Sequence, residues 1–232
     1  MEILKVENLS KSFDEFKAVD GVSFSLRELE ITALIGPNGA GKTTLVNLIT
    51  KKLKPDTGRI IFRGVDITKL SPHSVTRLGI VRTFQVVSLF PTLTVYENLK
   101  VAALASGTST KEIEGIMSDL RLEKFKDTRV AQLPFGLQKL VELGIALALK
   151  PKLLILDEPA AGLTYEDRKS LIRMLKDMGR RITLMVIEHD MEVVFGLADR
   201  IIVMNKGKII ADGKPEEISS NKLVREIYLG EG

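Results

Sequence analysis

At 232 residues, 44% hydrophobic and 28% charged, the chain has the composition of an ordinary globular protein with room for one large domain or two closely joined small ones, neither disordered nor fibrous. It contains no cysteine, which excludes a disulfide framework, a thiolate metal site and cysteine catalysis, and fits a reducing compartment such as the cytoplasm. The formal net charge of +4 suits anionic ligands, but lysine and arginine are spread along the whole length, so nucleic acid is not expected as a partner.

The opening Met1 to Lys5 reads as strand rather than as a signal peptide, and no apolar run reaches the ~20 residues that span a bilayer. Ile3 to Leu9 and Val22 to Leu26 alternate apolar and polar residues, the pattern of half-solvated antiparallel strands. Ile31 to Ile35 is apolar at nearly every position, as are Leu153 to Leu156, Ile182 to Ile187 and Ile201 to Met204, which predicts strands buried on both faces. Between them lie helical patterns at Thr44 to Ile49, Val95 to Ala105, Lys111 to Asp119, Leu137 to Leu149 and Arg168 to Met178, the last with Leu171, Ile172 and Leu175 in one stripe. Asn205 to Lys208 signals a hairpin into Ile209 to Ala211, and Ile218 to Leu229 reads as a closing helix. Alternation of buried strands with helices predicts an α/β fold: a mostly parallel central sheet, an N-terminal antiparallel β layer, and a helical lobe inserted over about residues 86–150 of a single domain, 1–232.

Directly after the first buried strand comes Gly36-Pro37-Asn38-Gly39-Ala40-Gly41-Lys42-Thr43, a match to G-x-x-x-x-G-K-[ST] with strand before and helix after, the context that confirms a P-loop NTPase. Glycines let backbone N–H groups wrap phosphate oxygens, the helix N-terminus adds a favourable dipole, Lys42 reaches the β and γ phosphates, and Thr43 ligates Mg²⁺. Gly36, Pro37, Asn38, Gly39, Ala40, Gly41, Lys42, Thr43 and Thr44 are therefore the expected phosphate contacts. A second buried strand ends in Asp157-Glu158. Asp157 is placed behind the Mg²⁺ shell, and Glu158 polarises the attacking water, so the adjacent carboxylates point to hydrolysis rather than binding alone.

With these residues in place the sequence resembles, over essentially its whole length, the nucleotide-binding subunit of ABC transporters. The resemblance implies ATP and Mg²⁺ as cofactors and assigns further roles. Phe13 in Leu9-Ser10-Lys11-Ser12-Phe13 matches the aromatic that stacks on adenine, with core packing as the competing reading and Phe16 as a rival. Gln85 in Arg82-Thr83-Phe84-Gln85 matches the glutamine that touches Mg²⁺ and water and relays nucleotide state to the transmembrane partner. His189 in Ile187-Glu188-His189-Asp190 matches the histidine on the γ-phosphate. Two departures stand out. In the stretch Leu133-Pro134-Phe135-Gly136-Leu137-Gln138 that matches the family's LSGGQ signature, Pro134 replaces the serine and Leu137 the glutamine, so Gly136 and the helix N-terminus remain to grip the γ-phosphate on an opposite protomer. Thr164 stands where many members carry the aspartate that couples the two sites.

Arg82 to Gln85 with Leu89 to Leu99, Ala160 to Leu163 and the ending Ile227 to Gly230 look like subunits that power import of branched-chain amino acids or of related urea and amide solutes, although those carry a longer segment around Gly107 to Gly115. The resemblance implies a second ATP-binding subunit, identical or not, paired head to tail, transmembrane permease subunits docked on the region after Gln85, no direct solute contact, and a peripheral location on the inner face of the cell membrane. The apolar run Val86, Val87, Leu89, Phe90 and Leu93 is read as part of that docking socket, against packing within the helical lobe. The alternatives are a non-transport ABC ATPase acting on nucleic acid or protein assemblies, and the ATPase of a lipid or polysaccharide exporter.

Overall fold

The structure, a computed structural model, describes residues 1–83 and 89–229. The alternating N-terminal segments form strands β1 (Glu2–Phe13) and β2 (Phe16–Arg27), paired antiparallel. The run Ile31–Ile35 is strand β3, buried at every position, and is followed by helix α1 (Lys42–Ile49). Strands β4 (Thr57–Phe62) and β5 (Val65–Asp66) complete a first sheet in the order β2-β1-β4-β5. Helix α2 (Pro72–Leu78) starts on a Ser71 cap and leads into strand β6 (Ile80–Arg82).

Helices α3 (Val95–Ser106) and α4 (Thr110–Asp119) each begin with a capping box, Thr94 with Glu97 and Ser109 with Glu112. Only residues 107–109 join them, turning at Gly107 with φ 69°. Asn98, 1% exposed, fixes the loop before α3: its Oδ1 accepts from Phe90 N–H at 2.9 Å, and its Nδ2 donates to the carbonyls of Phe90 at 3.1 Å and Thr94 at 2.9 Å. Then follow α5 (Phe135–Ala148), β7 (Leu153–Asp157), α6 (Tyr165–Gly179), β8 (Thr183–Ile187), α7 (Met191–Leu197), β9 (Arg200–Asn205) and β10 (Lys208–Gly213). The second sheet runs β10-β9-β3-β8-β7-β6, parallel from β9 to β6 with β10 antiparallel at its edge, the mostly parallel sheet that the sequence leads one to expect.

Why these strands are apolar throughout is visible in the two cores they divide. Leu153 and Ile155 of β7 face one core, shared with α1 and the antiparallel layer, while Leu154 and Leu156 face another, shared with α3, α5 and α6. The helices between residues 95 and 148 thus pack in the same apolar cluster as one face of the sheet.

The expected closing helix over Ile218 to Leu229 is corrected. It is two helices, α8 (Pro215–Ser220) and α9 (Lys222–Leu229), interrupted at Asn221, whose backbone is extended and whose Oδ1 accepts from Val224 N–H at 3.2 Å. Asparagine competes with the helix for its own backbone partners, so the break falls there. Among the described residues no helix is long and apolar enough to cross a membrane.

Candidate nucleotide site

The glycine-rich loop leaves the end of β3 through two close approaches. A Cβ on Gly36 would lie 2.4 Å from the Met204 carbonyl oxygen, and one on Gly41 would lie 2.2 Å from that of Ala18, with Gly41 held at φ 100°. The loop is tied at its apex by Ala40 N–H to the Pro37 carbonyl at 3.1 Å and from β10's turn by Gly207 N–H to the Ala40 carbonyl at 3.0 Å. Gly41 caps α1 without any side-chain hydrogen bond, which leaves the first-turn N–H groups to a ligand. The half-buried Lys42 amine donates to the carbonyls of Gly36 and Pro37. Burial pushes it below the usual lysine range, against the opposing pull of Glu158 and Asp157. Gly41→Ala is expected to lose ATP binding and at least about 1–3 kcal/mol of stability from backbone strain alone; a nucleotide titration and a denaturant melt read the two.

The acidic pair closes the other side. Asp157 ends β7, is 9% exposed, and is ion-paired with Arg82 of β6. Glu158 follows in the left-handed region, φ 49°, held there by its N–H to the Ile187 carbonyl at 2.9 Å and by Lys139 Nζ of α5 donating to its carbonyl at 3.2 Å. His189, reached through β8, places Nδ1 3.7 Å from Glu158 Oε1. Glu188, 1% exposed, accepts Ala160 N–H at 2.9 Å and so ties the turn after Glu158 to the loop carrying His189. Burial pushes its carboxyl above the usual range, against the backbone N–H groups of Ala160, His189 and Asp190. Lys42, Asp157, Glu158 and His189, far apart in sequence, therefore meet at the ends of neighbouring strands.

Phe13 is not core: it is 45% exposed at the tip of the β1–β2 hairpin, paired across from the exposed Phe16, with Lys11 Nζ 5.6 Å from its ring centre. Gln85 lies outside the described residues, as do Val86 and Val87. Gly136, in the first turn of α5, shares a cleft with Thr83, Lys139 and Asp157. A Cβ there would meet nothing nearer than Leu163 Cδ2 at 3.5 Å, so nothing among the described residues of this chain requires glycine at that place. Pro134 caps α5 without a side-chain bond. Gln138 donates its amide to the Leu133 carbonyl at 2.9 Å and is thus engaged locally. Thr164 caps α6 through the Asp167 N–H at 3.2 Å.

Arg82, Lys139 and Glu188 were not singled out by the sequence. Their signal is weak: each is one polar residue beside a motif, and its partner is set by strand order rather than spacing. The oxygens expected to meet Mg²⁺ are hard donors, the Thr43 hydroxyl at the exposed start of α1 and the Asp157 carboxylate. Among the described residues no three His, Asp or Glu side chains converge into a cage for a metal. That is the donor set of an ion bound mainly through nucleotide phosphates, so the residues fit it.

Residues 19–161 match the sequence model of a family described as ABC transporter, and residues 208–232 match one described as branched-chain amino acid ATP-binding cassette transporter. A probable branched-chain amino acid transport ATP-binding protein LivG from Methanocaldococcus jannaschii is 41% identical, with 100% of this chain and 98% of the relative covered. A high-affinity branched-chain amino acid transport ATP-binding protein BraF from Pseudomonas aeruginosa is 38% identical, covering 99% and 98%. A solved ATP-binding cassette of an ABC transporter in its ADP conformation superposes with a TM-score of 0.91 at 38% identity and full coverage of both chains. A dimeric bacterial ABC transporter cassette gives a TM-score of 0.80 at 25% identity, covering 92% of this chain and 99% of the other. With its phosphate loop, its acidic strand end and these full-length likenesses, the chain belongs to the ABC transporter family as one of its ATP-hydrolysing cassettes.

Proposed function

We propose that this cassette powers an importer of branched-chain amino acids or related small amide solutes, as a single nucleotide-binding domain whose helical lobe spans about residues 86–150. The observation that carries the solute class is the match of residues 208–232 to the branched-chain transporter model. In this reading the chain lies on the inner face of the membrane, touches permease subunits and not the solute, and closes head to tail on a second ATP-binding subunit.

The chemistry is positioning and charge neutralisation. Lys42 and the backbone N–H groups of residues 38–44 hold the β and γ phosphates, and Phe13 offers an exposed face to adenine. Thr43 and Asp157 are the residues that would hold Mg²⁺, with Gln85 as a further contact. When bound, the ion supplies charge neutralisation to the phosphoryl oxygens. Glu158 draws a proton from the attacking water, whose oxygen bonds to the γ-phosphorus as the bridge to the β-phosphate breaks, giving ADP and phosphate. His189 steadies the γ-phosphate from beside Glu158. Across the dimer, the Gly136 amide and the N-terminus of α5 face the phosphate held by the partner.

Phe90, 51% exposed in the loop before α3, with the half-buried Leu93, forms the proposed permease socket. The test is recovery of membrane proteins with the tagged chain from native membranes. Permease subunits together with an extracytoplasmic binding protein for such solutes are expected. An exporter's permease, or nucleic acid, would overturn the reading. The Phe90→Glu, Leu93→Glu double variant is expected to lose the membrane proteins while keeping ATP affinity within about twofold; loss of both would make the patch internal packing.

A further inference from the structure

We propose that Arg82 is a positioning residue that occupies one oxygen of Asp157 and so keeps divalent metal out of the site until nucleotide phosphates bring it. The inference rests on the assignment of Asp157 to the metal made above. Arg82 ends β6, opposite Ile155 on β7 and thus two residues short of Asp157. Its guanidinium forks: Nη2 pairs with Asp157 Oδ2, and Nη1 donates to Asn47 Oδ1 at 2.6 Å. The Arg82 and Asp157 side chains are only 8% and 11% exposed. Among the described residues Arg82 Nε, which is buried, has no hydrogen-bond partner, and the two acceptors that orient the guanidinium there are Asp157 and Asn47. Asn47 lies one helical turn beyond Thr43 on the same face of α1, and the fork therefore ties the helix that carries Thr43 to the strand that carries Asp157.

A carboxylate oxygen committed to a nearly dry guanidinium is a poor metal ligand, and a fixed positive charge beside it repels a free divalent ion. A metal chelated by a triphosphate arrives with its charge offset and keeps much of its water shell, so it needs only the oxygen that Arg82 leaves open.

The probe is Mn²⁺ titrated into the full chain and followed by electron paramagnetic resonance, without nucleotide and with a non-hydrolysable ATP analogue. Arg82→Met is expected to bind Mn²⁺ without nucleotide at least tenfold more tightly than the parent chain, and to melt higher when Mn²⁺ is added, which the parent does not. Adding Asp157→Asn to that variant is expected to erase the gain. If Arg82→Met does not fold, Arg82→Ala, which likewise leaves Asp157 without a donor from residue 82, is read in the same way. Nucleotide-independent Mn²⁺ affinity unchanged in a folded Arg82 variant overturns the proposal. Asp157→Asn alone separates the two levels: if it leaves Mn²⁺ binding with the analogue untouched, the assignment of Asp157 to the metal is what fails.

Discussion

Glu158→Gln is expected to bind ATP as tightly as the parent chain while turnover falls by about 10²–10⁴-fold, the usual contribution of a positioned general base. At 1.36 kcal/mol per decade this is about 3–5 kcal/mol of barrier. The amide keeps the size of the carboxylate, and the backbone of residue 158 is held by Ile187 and Lys139 through its own N–H and carbonyl, so the left-handed turn is expected to persist. Single-turnover phosphate release, with ATP affinity measured in parallel, separates chemistry from binding. Hydrolysis at parental rate would remove Glu158 from the water.

Lys42→Met has the second largest effect, on affinity rather than on chemistry. Hydrogen bonds to charged groups contribute about 1.5–3 kcal/mol each, so the ATP dissociation constant is expected to rise by about one to two decades. Fold stability responds with a different sign. Burial is the largest influence on the Lys42 amine and lowers its pKa, so charging it costs the folded state something near neutral pH. That cost is absent above the ordinary lysine value, builds as the pH falls from there to the lowered pKa, and is constant below it. Replacing the amine by a methyl-ended chain of similar length is therefore expected to leave the melting temperature unchanged or higher. Calorimetric ATP titration beside a thermal melt tests both halves, and ATP affinity within twofold of the parent would sink the phosphate role of Lys42.

The parts of the fold legible in the sequence were those in which burial on both faces leaves an unbroken apolar run: β3, β7, β8 and β9 are found within a residue or two of where the runs lie. Strand β4 was not legible, because Thr57, Gly58 and Arg59 carry no strand signal; pairing with β1 puts it in the sheet, with Gly58 so close to Asn8 that a Cβ would come within 2.5 Å of the Asn8 carbonyl oxygen. The short α2 and α7 rest on caps, Ser71 and Asp190, rather than on a long apolar stripe. At the site, Lys42 and Glu158 could be read because each sits inside a motif at a strand end. The partners of Asp157 could not, since the distance from residue 82 to residue 157 closes only when β6 lies beside β7. Exposure of Phe13 was equally hidden: a lone aromatic at the end of an alternating strand is consistent with either face.

The cluster around Asn98 has a thermodynamic consequence for assembly. One buried amide satisfies the backbone on both sides of the segment that displays Phe90, so the aromatic is offered on a loop already shaped before anything meets it. A permease subunit seating on that ring, as proposed above, would lose its own freedom but ask little further ordering of this chain, which would leave more of the apolar contact as net affinity. Removing the amide would loosen the grip from a distance, slowing or weakening complex formation without altering a single atom of the touching surface.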